Sequence, residues 1–346
     1  MKILYGVQGT GNGHLSRARA MARAFAARNI DVDYLFSGRS VNRYFDMQVF
    51  GQFRVCEGLT LACSNGKLSY LKTCVGNNYG RLLRDVLTLD LSDYDLVLTD
   101  FEPITAWAGW LRGKTVVSIG HQPAFDHRVP MAGHDLRSRF VMRMFAPGSV
   151  RLGMHWDSFQ APILPPIVNV DHAPGSTEPR KVVVYLPFEN QLEVQAVLAQ
   201  IPEYNFYIYA PDNVASTRGN LHVLPTSLKG FQEDLATCAA VICNAGFELS
   251  SECIALGKRL LVKPLDKQME QSSNALALSQ LGYGETLEAL RVGPIHNWLN
   301  SSAPVYRVYY PDVAREVVLW LSEGDLLAAS QQNLSDRLWD KVIVGL

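Results

Sequence analysis

The run Cys243-Asn244-Ala245-Gly246-Phe247-Glu248-Leu249-Ser250-Ser251-Glu252-Cys253-Ile254-Ala255-Leu256-Gly257 decides the fold, together with its continuation through residues 258–264 to Asp266-Lys267-Gln268-Met269-Glu270-Gln271-Ser272-Ser273-Asn274-Ala275. An apolar run ends in a turn at Gly246. A helix bearing carboxylates follows, and Gly257 stops it. A second apolar run closes on Pro264, and a polar loop leads into another helix. Strand, turn, helix, strand, loop and helix in that order build a parallel sheet covered by helices. The turn also offers chemistry, because the first N–H groups of a helix lack partners and sit at the positive end of its dipole. A diphosphate fits there.

The same alternation extends outward from this run. Upstream, residues 182–186, 206–209, 221–224 and 240–243 are short and apolar, as is 260–262 within it, as strands covered on both faces should be. Before them, residues 161–180 hold Pro162, Pro165, Pro166, Pro174, Gly175 and Pro179. Proline this dense sustains neither a helix nor a central strand, so the stretch reads as a linker. Ahead of it the alternation appears again. Residues 3–7, 32–36, 96–99 and 116–119 read as strands, and Leu15, Ala18, Ala22, Phe25 and Ala26 repeat at helical spacing, with Asn29 as the cap. The chain ends in a helical pattern from 312 to about 321 and then a second one. The expectation is an α/β protein with two doubly wound parallel-sheet domains, 1–160 and 181–310, facing a cleft. Residues 311–346 form helices that pack back on the first domain.

Bulk properties agree with two globular cores. The chain has 346 residues, 48% of them apolar and 19% charged, with a formal net charge of -1. That balance does not ask for nucleic acid, which favours a clearly basic surface. Cys56, Cys63, Cys74, Cys238, Cys243 and Cys253 form no CxxC pair and have no histidines at zinc spacing, so they read as reduced thiols of a cytosolic protein rather than metal ligands. The first residues show no signal-peptide pattern, and no segment is apolar enough to span a bilayer. The expected location is the cytoplasm, at most touching the inner face of a membrane. Residues 134–148 carry Arg137, Arg139 and Arg143 among Leu136, Phe140, Val141, Met142, Met144 and Phe145. A helix of that pattern can lie on an anionic membrane or cover a lipid acceptor, although more often it is a core-packed helix with a basic edge.

The first strand runs into Gly9-Thr10-Gly11-Asn12-Gly13-His14-Leu15-Ser16-Arg17. Glycines between a strand and a helix let the backbone turn tightly and approach a ligand. Their spacing misses the GxGxxG of dinucleotide-binding domains by one position, and no acidic residue stands clearly where the ribose would need it. His14 opens the helix, either as a packing residue or as a group acting in the cleft. Ligands of open α/β sheets bind beyond the carboxyl ends of the strands. Asp100, Glu102 and His121 follow two such ends and share the rim with Gly11, Asn12, Gly13 and His14. Asp100 can also cap the following helix.

The run from Gly246 to Ala275 resembles the donor site of GT-B transferases related to the lipid-intermediate GlcNAc transferase of peptidoglycan synthesis. The resemblance is carried by Gly246, Ser251-Glu252, Gly257, Pro264, Gln271 and Asn274-Ala275, and in the first half by Gly11-Asn12-Gly13-His14. Residues 5–14, His155-Trp156, 162–166 and 243–248 are similar to a bacterial and archaeal group of predicted glycosyltransferases. The resemblance implies a GT-B fold. It implies that Glu252 holds the donor ribose, with Glu248 as a rival. The backbone of Gly246, Phe247, Glu248, Leu249 and Ser250 would face the diphosphate, and Glu270 and Gln271 the donor sugar. Relatives often carry Gln-Gln where this chain has Glu270-Gln271.

The function expected from these residues is transfer of a sugar from a nucleoside diphosphate sugar, UDP-linked, to an acceptor hydroxyl on a sugar, a lipid-linked group or another molecule. His14 would be the base and Asp100 its orienting partner, with inversion and without a metal or other cofactor. Two other readings fit the same sequence: a UDP-sugar 2-epimerase on this fold, and a nucleotide-sugar-binding protein without turnover.

Overall fold

A computed structural model describes residues 1–60, 63–64, 66–68, 73, 75–132, 136–168, 176–211 and 213–345. The first half begins with β1 (Lys2–Gln8), α1 (Asn12–Ala26), β2 (Asp31–Ser37) and β3 (Phe53–Val55). A short hairpin of β4 (Cys63–Ser64) and β5 (Lys67–Leu68) follows. Then come α2 (Tyr79–Thr88), β6 (Leu96–Asp100), α3 (Pro103–Leu111), β7 (Val116–Gly120), α4 (Leu136–Phe145) and β8 (Val150–Gly153). The sheet order is β3-β2-β1-β6-β7-β8, with parallel pairing between each pair of neighbours. β1, β6 and β7 are buried along nearly their whole length, which is why they read as continuous apolar runs.

The second half repeats the plan. It comprises β9 (Glu178–Tyr185), α5 (Gln191–Leu198), β10 (Asn205–Ala210), β11 (Ser216–Arg218), β12 (Leu221–Pro225) and α6 (Leu228–Thr237). It continues with β13 (Cys238–Asn244), α7 (Phe247–Leu256), β14 (Arg259–Lys263), α8 (Met269–Leu281), β15 (Glu285–Thr286) and α9 (Val292–Asn300). The order is β11-β12-β10-β9-β13-β14-β15, with β11 antiparallel at one edge. In each sheet the strand order reverses beside the first strand, between β1 and β6 and between β9 and β13. The carboxyl ends of strands at such a reversal are where ligands of open α/β sheets bind.

The final segment holds β16 (Arg307–Tyr309), α10 (Val313–Glu323), α11 (Ala328–Trp339) and β17 (Ile343–Gly345). Asp312 accepts the Arg315 amide at 3.0 Å and so starts α10, which packs on α1 of the first half. α11 is pinned there as well, since Ser335 Oγ and Trp339 Nε1 both donate to the Ile163 carbonyl, at 2.7 and 2.6 Å. One buried apolar cluster runs from Leu15, Phe25 and Phe36 through Trp156, Phe247 and Cys253 to Val317, Trp320 and Leu334. The two halves therefore share a continuous core.

The expected strands lie within the observed ones, each extended by a few residues except at 186, which falls just past β9. β3, β4, β5, β8, β11, β15, β16 and β17 are additions, two to four residues long, at sheet edges or in two-stranded pairs and too short to show a period. Of the expected linker, 178–180 is the start of β9, and 169–175 lies outside the described residues. Residues 134–135 of the expected basic helix and Cys74 also lie outside them. Among the described residues no helix is long and apolar enough to cross a membrane.

Candidate active site

The two switch points face each other. Each ends in a glycine turn followed by a helix with no side chain capping its first turn: Gly11 before α1 and Gly246 before α7. Among the described residues nothing approaches within 4 Å of where a Cβ would stand on either glycine. Gly246 donates its own N–H to the Asn244 carbonyl at 2.7 Å, which folds the turn back and directs the next amides along the helix axis. Gly13 is glycine for another reason. A Cβ there would lie 2.8 Å from Glu248 Cγ, so α1 and α7 can meet only if that position is bare.

On the first half, His14 Nδ1 lies 2.7 Å from Asp100 Oδ1. Burial alone would raise the Asp100 carboxyl, but Arg17 and His14 outweigh it and hold it down at about 2. A carboxylate can only accept, so His14 Nδ1 is the donor of this bond and Nε2 is left to face the crevice. Asp100 and Arg17 are buried, whereas the His14 side chain is 16% exposed and is the open member of the group. Arg17 grips Asp100 bidentately, Nε to Oδ2 at 2.7 Å and Nη2 to Oδ1 at 2.8 Å. Its third nitrogen, Nη1, donates to Glu248 Oε1 across the interface between the halves. Burial opposes the Arg17 charge, yet Asp100 and Glu248 more than restore it. Burial lifts the Glu248 carboxyl to about 8, against the pull of Arg17. Phe101 closes the other side, with its ring stacked 6.3 Å from His14 and 4.6 Å from Phe145. It adopts φ +55°, a left-handed conformation that costs a bulky residue about 1–3 kcal/mol and so marks an imposed geometry.

The glycine turn of the first half is clamped from outside. Arg39 donates to the Gly9 carbonyl and to Asn12 Oδ1, and Asn12 Nδ2 donates to the Tyr185 hydroxyl at the end of β9, at 3.1 Å. Ser16 Oγ donates to Glu252 Oε1 at 3.0 Å. Asn12 and Glu252 thus both span the halves, as Arg17 and Glu248 do.

Several residues expected on the rim lie beneath it. Glu102 is fully buried and caps α3, accepting from Ile104 N at 2.9 Å, Thr105 N at 2.7 Å, Thr105 Oγ1 at 2.7 Å and Ser37 Oγ at 2.7 Å. The cap that Asp100 could have supplied comes from Glu102, which leaves Asp100 to His14. His121 is buried, and burial lowers its imidazole below the ordinary value. Its ring stacks 4.1 Å from Phe247, Nδ1 lies 2.9 Å from the Met154 carbonyl, and Nε2 lies 2.6 Å from Asn274 Oδ1. Phe247 also stacks on Trp156 at 5.1 Å, and Trp156 Nε1 donates to Ser251 Oγ at 2.8 Å. His121, Phe247, Trp156 and Asn274 therefore join the halves, and Asn274 Nδ2 fixes the Gly246 turn by donating to the Ala245 carbonyl at 2.9 Å. The Ser250 hydroxyl bonds back to the Gly246 carbonyl at 2.7 Å, and Ser250 is fully buried. Gln271 Oε1 accepts the Leu265 amide at 3.0 Å and shapes the loop. Leu249 and Glu270 stand half-buried at the edge, and Gln122 Nε2 of the first half reaches Glu270 at 3.3 and 3.4 Å.

Arg17, Phe101, Ser16, Tyr185 and Gln122 were not read from sequence as site residues. Arg17 had a signal, standing one turn after His14 on a helix face that continues with the apolar Met21 and Ala24. The others gave none, because their role depends on the far half. Among the described residues, no group of three His, Cys, Asp or Glu side chains is arranged to hold a metal ion.

The family model described as glycosyl transferase family 1 matches residues 1–301. No curated protein sequence matches the chain. Among solved structures, Arabidopsis thaliana UGT89C1 complexed with UDP aligns with TM-score 0.57 and 11% identity over 98% of both chains. The spinosyn rhamnosyltransferase SpnG complexed with thymidine diphosphate aligns with TM-score 0.52 and 16% identity, covering 98% of this chain and 96% of its own. Acinetobacter baumannii MurG aligns with TM-score 0.50 and 15% identity over 97% and 94%. Such likeness fixes the two-domain GT-B fold along the full chain.

Proposed function

The chain belongs to glycosyl transferase family 1, and on that premise we propose that it moves a sugar from a uridine diphosphate sugar to an acceptor hydroxyl, with inversion and without a required metal. The observation that carries this reading is the 2.7 Å contact of His14 Nδ1 with Asp100, placed opposite the uncapped start of α7. In the reaction, His14 Nε2 takes the acceptor proton as the acceptor oxygen bonds to the anomeric carbon from the face opposite the leaving group. The bond to the diphosphate breaks, and its electron pair leaves with the nucleotide. Negative charge then grows at the phosphate oxygens, where the amides after Gly246 and the α7 dipole stabilise it.

Two solved structures of this fold carry UDP and thymidine diphosphate, which supports a pyrimidine nucleotide in this chain. Glu252 is assigned the ribose. Its carboxylate stands along α7 from the turn, and Oε1 already accepts the Ser16 hydroxyl at 3.0 Å, as it would a ribose hydroxyl. Glu270, with Gln122 beside it, is assigned the donor sugar. The acceptor enters from the first half, beside Phe101 and α4. Phe140 and Val141 project from α4 at 64% and 63% exposure, which suits an acceptor carried on a lipid surface.

The decisive experiment incubates the protein with UDP-sugars and monitors UDP release with and without the His14→Ala change. Loss of turnover with UDP affinity kept supports a transferase with His14 as base. Binding with no turnover in the parent, across acceptors, supports the non-catalytic reading instead. Epimerised sugar without any acceptor would favour the epimerase.

A further inference from the structure

A buried chain of charges crosses from one half to the other and ends on His14. It runs from Glu248 on α7 to Arg17 on α1, then to Asp100 at the end of β6, then to His14. Asp100 Oδ1 is shared, accepting both Arg17 Nη2 at 2.8 Å and His14 Nδ1 at 2.7 Å, and Arg17 Nη2 lies only 3.2 Å from that ring nitrogen. This is an awkward neighbourhood for a base. An imidazole that takes up a proton needs a nearby negative charge, yet the Asp100 carboxylate is already neutralised by a guanidinium that also faces the imidazole. The charge that restores the balance comes from the second half.

We infer that Glu248 is a positioning residue for His14: by engaging Arg17 from the second half, it frees the Asp100 carboxylate to support the imidazolium. The inference rests on the reading of His14 as the base. With Glu248 ionised, Arg17, Asp100, Glu248 and protonated His14 sum to zero. With Glu248 neutral and His14 unprotonated, they again sum to zero. A proton gained at His14 can therefore be matched by one lost at Glu248. A carboxyl raised by burial to about 8, as at Glu248, is able to follow such a change near neutral pH. The bare Gly13 lets Glu248 come this close, so the coupling exists only when α1 and α7 are together. Separation of the halves would strand Arg17 on Asp100 and weaken the base. The other groups facing this cluster are Tyr5 on β1, Glu252 on α7 and His121 after β7.

The test follows the His14 ring by NMR in the unliganded full chain with ring-labelled histidine, its signal assigned by its loss in His14→Asn. Glu248→Gln keeps shape and removes charge. It is expected to lower the His14 titration midpoint by about one pH unit. Glu252→Gln, which removes a charge outside the chain, is expected to move it much less. In the parent, the His14 curve is expected to be broader than that of a single isolated imidazole, which reads the coupling even if Glu248→Gln folds poorly. An unchanged midpoint in Glu248→Gln, an equal shift in Glu252→Gln, or a simple one-proton curve in the parent would overturn the inference. Failure of the parent to release UDP from UDP-sugars would instead sink the functional reading and leave the measured coupling standing.

Discussion

The two switch points share one backbone plan and differ in what they present. At the first, the turn from Gly9 to Gly13 leads to His14, Asp100 and Arg17, a cluster of ionisable side chains sealed from water except at the imidazole. At the second, the turn at Gly246 leads to backbone amides. The polar side chains around it, Ser250, Asn274 and Gln271, are occupied with holding the turn and its neighbouring loop. In the proposed reaction one half would move a proton and the other would hold an anion. A doubly wound sheet provides the crevice in both cases, and the side chains that reach it set the chemistry.

The largest effect that would break this division is at His14. His14→Ala should reduce turnover about 10³-fold while UDP affinity stays within a factor of about two, because general-base catalysis contributes on that order and the donor side is untouched. Equal losses in both would mean that the first switch point also binds the donor.

Next in size is Asp100→Asn. It leaves Arg17 buried with one charged partner fewer, and breaking a buried ion pair costs about 3–5 kcal/mol, visible as a lower Tm together with lost activity. The same carboxylate sets an acid limit. Its folded value, about 2, lies below the ordinary 3.8, so the stability it provides is complete above about pH 4 and is lost as pH falls towards 2. Glu248, raised to about 8, works in the opposite direction and costs stability as pH climbs from about 4.5 to 8. Unfolding titrations of Asp100→Asn and Glu248→Gln should therefore diverge from the parent at opposite ends of the pH range.

Glu252→Ala sharpens the donor side. Loss of a charge-assisted bond worth about 1.5–3 kcal/mol should weaken UDP binding about ten- to hundredfold by calorimetry, with His14 chemistry intact once donor is saturating. A smaller effect is expected from a chelator. Turnover should survive EDTA if the helix amides carry the leaving-group charge as proposed, and a loss restored by a divalent cation would give that role to a metal. The smallest concerns the surface. Phe140→Ser should reduce retention on anionic vesicles a few-fold without altering UDP affinity.

Much of this was legible in the sequence for a physical reason. Strands covered on both faces must be apolar throughout, so 3–7, 96–99, 182–186 and 240–243 announce themselves. Glycine turns and the Asp312 cap mark where helices begin. The pairing of His14 with Asp100 was legible because strand ends share a rim. Glu102 and His121 show the limit of that rule. Position after a strand places a residue near the rim, but whether it faces the crevice depends on Ser37, Thr105, Phe247 and Asn274, which come from elsewhere in the chain. Arg17 reads as one more charged residue in a helix until Glu248 arrives from the other half. Contacts between distant segments set these roles, and no local pattern encodes them.

The central claim is that the amides after Gly246 cradle the donor diphosphate opposite His14, and amide NMR of the labelled full chain titrated with UDP tests it most directly. The largest shifts are expected on Phe247, Glu248 and Leu249, with smaller ones at Gly11 and Asn12 across the crevice. Saturable UDP binding that leaves those three amides unmoved, or no binding at all, would contradict it.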